Sequence, residues 1–350
     1  MSNLVNLYLD RGIDTTLVTL DSPERNVAYS ISPHVKQVNL YVSGRRSVVA
    51  KIITPIRRLF RLRQYIKRKR PSVVLSFMTP TNILAIVACI GLDVRRVVSE
   101  RTNPARFSYS RMVDLLRKLT YRFANIVVVQ MPEIAAWFQG RMKGTFHVIP
   151  NFISQEKIKT GLLRQPIIIA VGRLGPEKGF DVLINAFALL VDRFPEWRLE
   201  ILGEGLQRSL LQSLINQHGL GNKVTLPGFV SNPGRYLSTA AIYVQPSRRE
   251  GFPNALLEAM ANRAAVVASY EAGDMLIQDG VNGLLVPADD IRQLSDALEL
   301  LMEAPLLRDT LGGRALAVRE TFSQARIIPL WDEALFPGYP CINQETHNHG

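Results

Sequence analysis

The chain has 350 residues, more than one hydrophobic core usually supports, so two domains are expected. A composition of 47% hydrophobic and 21% charged residues excludes both a disordered chain and a polytopic membrane protein. The formal charge of +12 is uneven: residues 1–150 hold 24 Lys and Arg against 8 Asp and Glu, and the remainder hold 18 against 22. The first half is therefore the part expected to meet something anionic, whether a phospholipid headgroup, a lipid-linked pyrophosphate or nucleic acid, unless its basic surface serves solubility alone.

In chain order, Met1–Gly12 reads as a helix ending at a glycine stop, without the basic and apolar succession of a secretory signal. Strands are expected at 13–20 and 35–42. A basic helix follows over 56–70, with Ile56, Leu59, Phe60 and Ile66 at helical spacing among six arginines and two lysines counted over 57–70. Ser72–Phe77 is the next strand. The longest apolar run, 83–92, is about half of the roughly 20 residues a spanning helix needs and reads as a buried helix. It contains Cys89; the other cysteine is Cys341, a usage that suits a reducing cytoplasm and argues against a disulfide framework or a zinc site. Strands at 96–99 and 126–130 flank a second basic helix over 111–122, in which Met112, Leu115, Leu116 and Leu119 alternate with Arg111, Arg117, Lys118 and Arg122. Such helices either pack an apolar stripe on a sheet or lie on an anionic membrane surface.

A joint is expected at 148–154, followed by a second strand series at 166–171, 197–202, 224–226, 242–245, 264–268 and 283–286. Helical periodicity is clear over 179–193, 290–303 and 323–335. Strands alternating with helices in two series imply an α/β protein of two doubly wound domains with parallel sheets. The tail after Phe336-Pro-Gly is expected to be disordered, and its His347 and His349 are two histidines without companion ligands.

The chemistry concentrates in the second series. Glu250-Gly-Phe-Pro-Asn-Ala-Leu-Leu-Glu258 follows a strand and opens a helix near Pro253. The free N–H groups at such a helix start favour an anionic diphosphate. Glu250 belongs to the loop and Glu258 lies about one turn into the helix; either carboxylate can accept two hydroxyls of a sugar or ribose. Gly172-Arg-Leu-Gly-Pro-Glu-Lys-Gly179 also links a strand to a helix, with Arg173 and Lys178 placed for phosphate oxygens. Gly203-Glu-Gly205 would let the backbone approach a ligand.

Taken together, these segments resemble the retaining glycosyltransferases of family 4 over nearly the whole chain, from Met1 to about Leu335. The likeness rests on Gly172-Arg-Leu with Glu177-Lys-Gly179, Gly203-Glu-Gly205, Ser247 with Glu250-Gly-Phe-Pro-Asn254, Glu258-Ala-Met, and Asp279-Gly-Val-Asn-Gly-Leu-Leu-Val-Pro287. It implies the GT-B fold, two Rossmann-like domains facing across a cleft, with an acceptor domain at 1–154, a nucleotide-sugar domain at 155–322, a helix at 323–336 crossing back to the first domain and a tail at 337–350. By the same likeness Arg173 and Lys178 bind the donor diphosphate, Glu250 the sugar hydroxyls and Glu258 the ribose. Gly172, Gly203, Gly205, Gly251, Phe252, Pro253 and Asn254 complete the donor site, Glu250, Arg173 and Lys178 being the catalytic set.

The implied reaction moves a hexose or N-acetylhexosamine from a nucleoside diphosphate sugar, UDP being the family's commoner carrier, to a lipid-linked or polysaccharide acceptor of bacterial glycan synthesis. It needs no metal or cofactor, and the diphosphate leaves under electrostatic stabilisation with the anomeric configuration retained. Val97-Val-Ser-Glu-Arg-Thr-Asn-Pro104 resembles a stretch of members acting on lipid-linked glycans, which makes Glu100 and Arg101 acceptor-contact candidates, a charge pair at a strand end being the structural alternative. Localisation follows as cytoplasmic, peripheral on the inner membrane face through 56–70 and 111–122.

Family members open with a strand and glycine-rich turn ahead of the helix that here begins at Met1. Two expectations follow: a true start upstream, or a truncated, non-catalytic relative that still binds nucleotide sugar. Competing readings explain less. A glycosidase carboxylate pair leaves the phosphate-binding residues without a role. A nicotinamide dehydrogenase lacks its Gly-x-Gly-x-x-Gly. A basic nucleic-acid-binding protein does not need Glu250, Glu258, Arg173 and Lys178 together, so no nucleic-acid partner is expected.

Overall fold

The computed structural model describes residues 2–20, 31–41, 48–105, 109–154, 158 and 163–338. The chain divides into two compact units: Met1–Pro150 with Ile328–Gly350, and Asn151–Ile327. The calls on residues 339–350, with Cys341, His347 and His349, lie outside the described residues.

In the first unit the elements run α1 (Ser2–Asp10), β1 (Thr16–Thr19), β2 (Lys36–Asn39), α2 (Val48–Lys69), β3 (Val73–Phe77), α3 (Thr79–Cys89), β4 (Arg95–Ser99), α4 (Arg111–Thr120), β5 (Ile126–Val129), α5 (Pro132–Gln139) and β6 (Phe146–Val148). Strands β3, β4, β5 and β6 form a parallel sheet in that order, and β1 and β2 form a separate parallel pair. The first strand is shorter than its apolar pattern predicts, because Thr15 turns its hydroxyl onto the Ile13 carbonyl (2.9 Å) before pairing begins. The helix expected at the 83–92 run is α3, whose Ala88 and Cys89 pack with Leu62 and Ile66 of α2. Burial there pushes the Cys89 thiol up to about 11.

The two basic helices differ. Helix α2 buries Leu62 and Ile66 and half-buries Leu59, while Ile56 and Phe60 stay exposed. Helix α4 does not pack its apolar stripe on the sheet. It buries Arg117 and Thr120, and leaves Met112 (70% exposed), Leu115, Leu116 and Leu119 at the surface. Its N-cap is Ser110, whose hydroxyl accepts from the Val113 N–H.

The second unit runs β7 (Gln165–Val171), α6 (Phe180–Ala188), β8 (Arg198–Leu202), α7 (Arg208–Gln217), β9 (Val224–Gly228), α8 (Gly234–Thr239), β10 (Ala240–Gln245), α9 (Asn254–Ala261), β11 (Ala265–Ser269), α10 (Tyr270–Gly273), β12 (Leu284–Val286), α11 (Ile291–Glu303), α12 (Pro305–Ala315), α13 (Val318–Thr321) and α14 (Gln324–Leu335). All six strands are parallel in the order β12-β11-β10-β7-β8-β9. Such a sheet is covered on both faces, and every residue of β10 and β11 is buried, which explains their unbroken apolar runs. Strand order reverses between β7 and β10, so the loops after these two strands flank the topological switch point where α/β sheets take ligands.

Helix α6 is shorter than the 179–193 pattern, ending in turns before Pro195, which cannot extend it. Helix α14 straddles the division: from Ile328 onward its residues belong to the first unit. There the Asp332 carboxylate accepts from Tyr8 (2.9 Å) and from both terminal nitrogens of Arg11 (3.0 and 3.1 Å).

Candidate functional site

Two glycines bring the switch-point loops together. Gly179 (φ +65°) sits where a Cβ would fall 2.1 Å from the Pro246 carbonyl oxygen, and Gly203 (φ +144°) where one would fall 1.8 Å from the Gly172 carbonyl oxygen. The loop after β7 thus closes on those after β10 and β8. Gly205 faces Leu174, whose N–H donates to the Glu204 carbonyl at 2.9 Å. Gly172 packs against the Lys178 side chain, at 3.3 Å from an added Cβ to its Cε.

Glu250 is the centre of the arrangement. Its Oε1 accepts from the Lys178 ammonium, from the Gln245 side-chain amide and from the Ser247 hydroxyl (3.0 Å), with the side chain mostly buried. Gln245 in turn accepts from the Tyr243 hydroxyl and contacts Ser247 (3.4 Å). Tyr243 is fully buried; its phenol is raised well above its ordinary range by desolvation, then by the negative charges of Glu250 and Glu258. The two carboxylates eight residues apart therefore act on one buried ring. Glu258 lies half-buried on α9, and its carbonyl accepts from Asn262.

Helix α9 begins at Asn254 with Pro253 as its N-cap and no side-chain cap, so its first N–H groups lack a side-chain acceptor of their own. Phe252 turns its ring inward, 6.1 Å from Phe322, leaving the backbone at Gly251 and Phe252 to line the loop. Asn254 accepts from the Asn151 amide at 2.5 Å. Arg173 extends outward, 75% exposed, and donates to Glu177 through Nη2 (2.6 Å) and Nε (3.2 Å).

Sequence reasoning missed Arg248. Its Nη1 and Nη2 grip Asp181 (3.0 and 2.7 Å), its Nε meets Asp289 (2.6 Å), Nη1 also reaches the Pro176 carbonyl (2.5 Å), and its backbone N–H donates to Glu177 (2.9 Å). Hydrogen bonds to Asp181, then those to Asp289, raise its already high pKa. One side chain therefore ties the Glu250 loop to the loop carrying Lys178. Nothing in two adjacent arginines distinguishes such a clamp from a solvated pair. Gln245 left a fainter signal, a polar residue ending the apolar run of β10.

In the first unit the sequence candidates separate. Glu100 is completely buried (0%), and its carboxylate is filled. Thr79 (2.7 Å) and Tyr121 (2.8 Å) donate to Oε2; Thr102 (2.8 Å) and the Arg101 N–H (3.2 Å) donate to Oε1. Arg117 Nη1 stands 3.9 Å from Oε2. Asn82 completes the network with Ser76 and Tyr121. Arg101 stacks on Phe77, 4.9 Å from its centroid, and burial brings its guanidinium down to about 10.

Among the described residues, no group of three or more His, Cys, Asp or Glu is placed to hold a metal ion, and no helix is long and apolar enough to cross a membrane.

Comparison with known proteins follows these divisions. Residues 1–157 match the family model described as Glycosyltransferase Family 4, and residues 153–317 match that of Glycosyl transferases group 1. An N-acetylgalactosaminyltransferase of Campylobacter jejuni, named for a diNAcBac-PP-undecaprenol-linked acceptor, is 26% identical over 308 residues, covering 87% of this chain and 85% of that one. An uncharacterized glycosyltransferase of Methanocaldococcus jannaschii is 27% identical over 61% of this chain, which spans only 59% of that relative. The solved structure of Anabaena Alr3699/HepE in complex with UDP is similar in fold, with a TM-score of 0.74 at 20% identity and 86% of each chain covered.

Proposed function

Because the chain belongs to the glycosyltransferases that these two models describe, and has their two-unit α/β fold of the GT-B class, we propose that it transfers a hexose or N-acetylhexosamine from a nucleoside diphosphate sugar, with retention and without a metal. UDP is the proposed carrier and a lipid-linked or polysaccharide glycan the proposed acceptor; the Campylobacter relative's name and the UDP complex of HepE support this reading.

The observation that carries it is the meeting of Lys178 and Glu250 at the switch point. Three donors converge on Oε1 of Glu250, which holds the carboxylate in one orientation with Oε2 directed to a sugar hydroxyl. Lys178 and Arg173 supply positive charge for the departing diphosphate, with the uncapped N–H groups of α9 beside them. Charge fixed in place by Gln245, Ser247 and the Arg248 clamp needs little reorganisation as the leaving group develops its own. Glu258 is proposed to bind the ribose. No side-chain nucleophile is required: the acceptor attacks on the face the diphosphate leaves, and its proton passes to the departing phosphate.

On the acceptor side, Arg101 is the proposed contact. Glu100, its carboxylate already filled by four donors, holds the turn rather than touching the acceptor. The outward apolar face of α4, bordered by Arg111, Lys118 and Arg122, fits peripheral attachment to an anionic membrane.

The test is release of nucleoside diphosphate from a panel of nucleotide sugars in the presence of membrane-extracted acceptor lipids. Release is expected from a UDP-sugar, with Lys178→Ala lowering kcat about 10²–10³-fold. Turnover unaffected by Lys178→Ala, or no release from any donor, would overturn the reading.

A further inference from the structure

The two cations proposed for the donor diphosphate are held very differently. Lys178 is mostly buried on Glu250, whereas Arg173 is 75% exposed and paired with Glu177. Oε1 of Glu177 accepts from both Nε (3.2 Å) and Nη2 (2.6 Å), so it fills one of the two edges through which an arginine fork meets a phosphate. Burial raises the Glu177 carboxyl, but hydrogen bonds from its own N–H and from Arg173 hold it below its ordinary value, so it is an anion at neutral pH. The carboxylate lies over Gly175, where an added Cβ would fall 2.5 Å from Oε2 and 2.7 Å from Oε1. Gly175 itself is extended (φ −127°, ψ 160°), a conformation open to any L-residue, so the carboxylate depends on the empty space there and not on special backbone freedom.

The backbone around the pair is pinned. The Gly175 N–H donates to the Arg173 carbonyl (2.7 Å), the Lys178 N–H to the Gly175 carbonyl (3.0 Å) and the Arg248 N–H to the Glu177 carbonyl (2.9 Å). The pair can therefore open by side-chain rotation alone, and an ion pair this exposed adds little to the stability of the fold. A carboxylate on Arg173 and an incoming diphosphate compete for the same charge and repel each other. We propose, resting on the reading that Arg173 meets the donor diphosphate, that Glu177 is a positioning residue competing with the donor for Arg173. Its carboxylate holds the guanidinium in the donor-free chain, yields it to phosphate oxygens on binding and takes it back as the nucleoside diphosphate leaves. The exchange lowers affinity for donor and product alike and speeds product release. Lys178, locked on Glu250, has no such freedom.

The test is isothermal titration calorimetry of the full-length chain with UDP, GDP, ADP and dTDP. Arg173→Ala is expected to weaken whichever of them binds, and Glu177→Gln to tighten it about two- to fivefold, the range in which an exposed ion pair acts. Gly175→Ala should tighten it similarly without removing any charge, because its Cβ displaces the carboxylate. The double variant Gly175→Ala/Glu177→Gln should bind no tighter than Glu177→Gln. Glu204→Gln, which frees a carboxylate paired with Arg208 (2.7 Å), gauges the general effect of losing a negative charge and should fall short of Glu177→Gln. In turnover, Glu177→Gln should lower the donor KM and the UDP inhibition constant together without raising kcat. Unchanged or weaker binding by Glu177→Gln and Gly175→Ala, beside a weakened Arg173→Ala, would overturn the competition and leave the donor role of Arg173 standing. Tightening matched by Glu204→Gln and missing from Gly175→Ala would overturn it in favour of bulk charge. No binding of any of the four, or no effect of Arg173→Ala, would overturn the donor reading of Arg173 and the competition with it.

Discussion

Glu100 and Glu250 both follow the C-terminal end of a parallel strand, yet their surroundings assign them opposite tasks. Around Glu100 both carboxylate oxygens are filled by hydroxyl and amide donors and nothing of the side chain reaches solvent. Around Glu250 three donors crowd a single oxygen, and the partner cation comes from a loop that Gly179 and Arg248 bring near. A strand-end glutamate whose loop folds back over it is thus a structural tie, whereas one held through a single oxygen, as Glu250 is, keeps the other for the ligand-binding role proposed for it.

This contrast is most sharply tested at Glu100. Glu100→Ala removes the counter-charge of a buried arginine and should cost about 3–5 kcal/mol of stability. Denaturant unfolding would measure it, and a loss below about 1 kcal/mol would show that the network is not a structural tie. The next effect runs the other way. Glu250→Gln should leave the unfolding midpoint nearly unchanged while kcat/KM falls about 10–100-fold, as expected for losing a charged hydrogen bond of about 1.5–3 kcal/mol. Equal damage to stability and turnover would erase the distinction between the two carboxylates.

The Arg248 clamp predicts an intermediate result. Arg248→Lys keeps the charge and loses the fork, so donor KM should rise more than kcat falls, with Arg248→Ala worse in both. Identical kinetics for the two variants would mean that charge alone matters.

The smallest effect concerns a carboxylate outside both sites. Burial on β8 raises the Glu200 carboxyl above its ordinary range, opposed by Arg198. The folded chain therefore holds that proton more tightly than the unfolded one, so stability falls as pH rises from the unfolded through the folded value. Glu200→Gln should raise Tm slightly at pH 7, with the gain disappearing below the carboxylate range. A gain that persists in acid would place its cause elsewhere.

How much was legible beforehand varies with the kind of residue. The strand series and the strand-to-helix loops opening at Gly172 and Glu250 could be read directly, because period and spacing are local properties of the chain; the pairing of Gly172-Arg-Leu with Glu250 and Glu258 came from the family resemblance. Arg248 could not be read, since its partners Asp181, Asp289 and Pro176 lie at the start of α6 and on other loops; Tyr243 and Gln245 are paired within their own strand and the loop after it, and left only the polar residue that ends the apolar run of β10. Helix α4 shows the same limit: its composition specified an amphipathic helix, but not which face would turn inward. The sequence by itself determined two α/β units, a family and the loop and helix positions of the two carboxylates proposed to hold the donor. Only the tertiary structure decided that Glu100 is buried as a tie, that Arg248 joins two loops, and that α4 turns an arginine inward and its leucines outward. Those outcomes depend on which acceptors and apolar surfaces the fold brings within reach, and no local pattern encodes that.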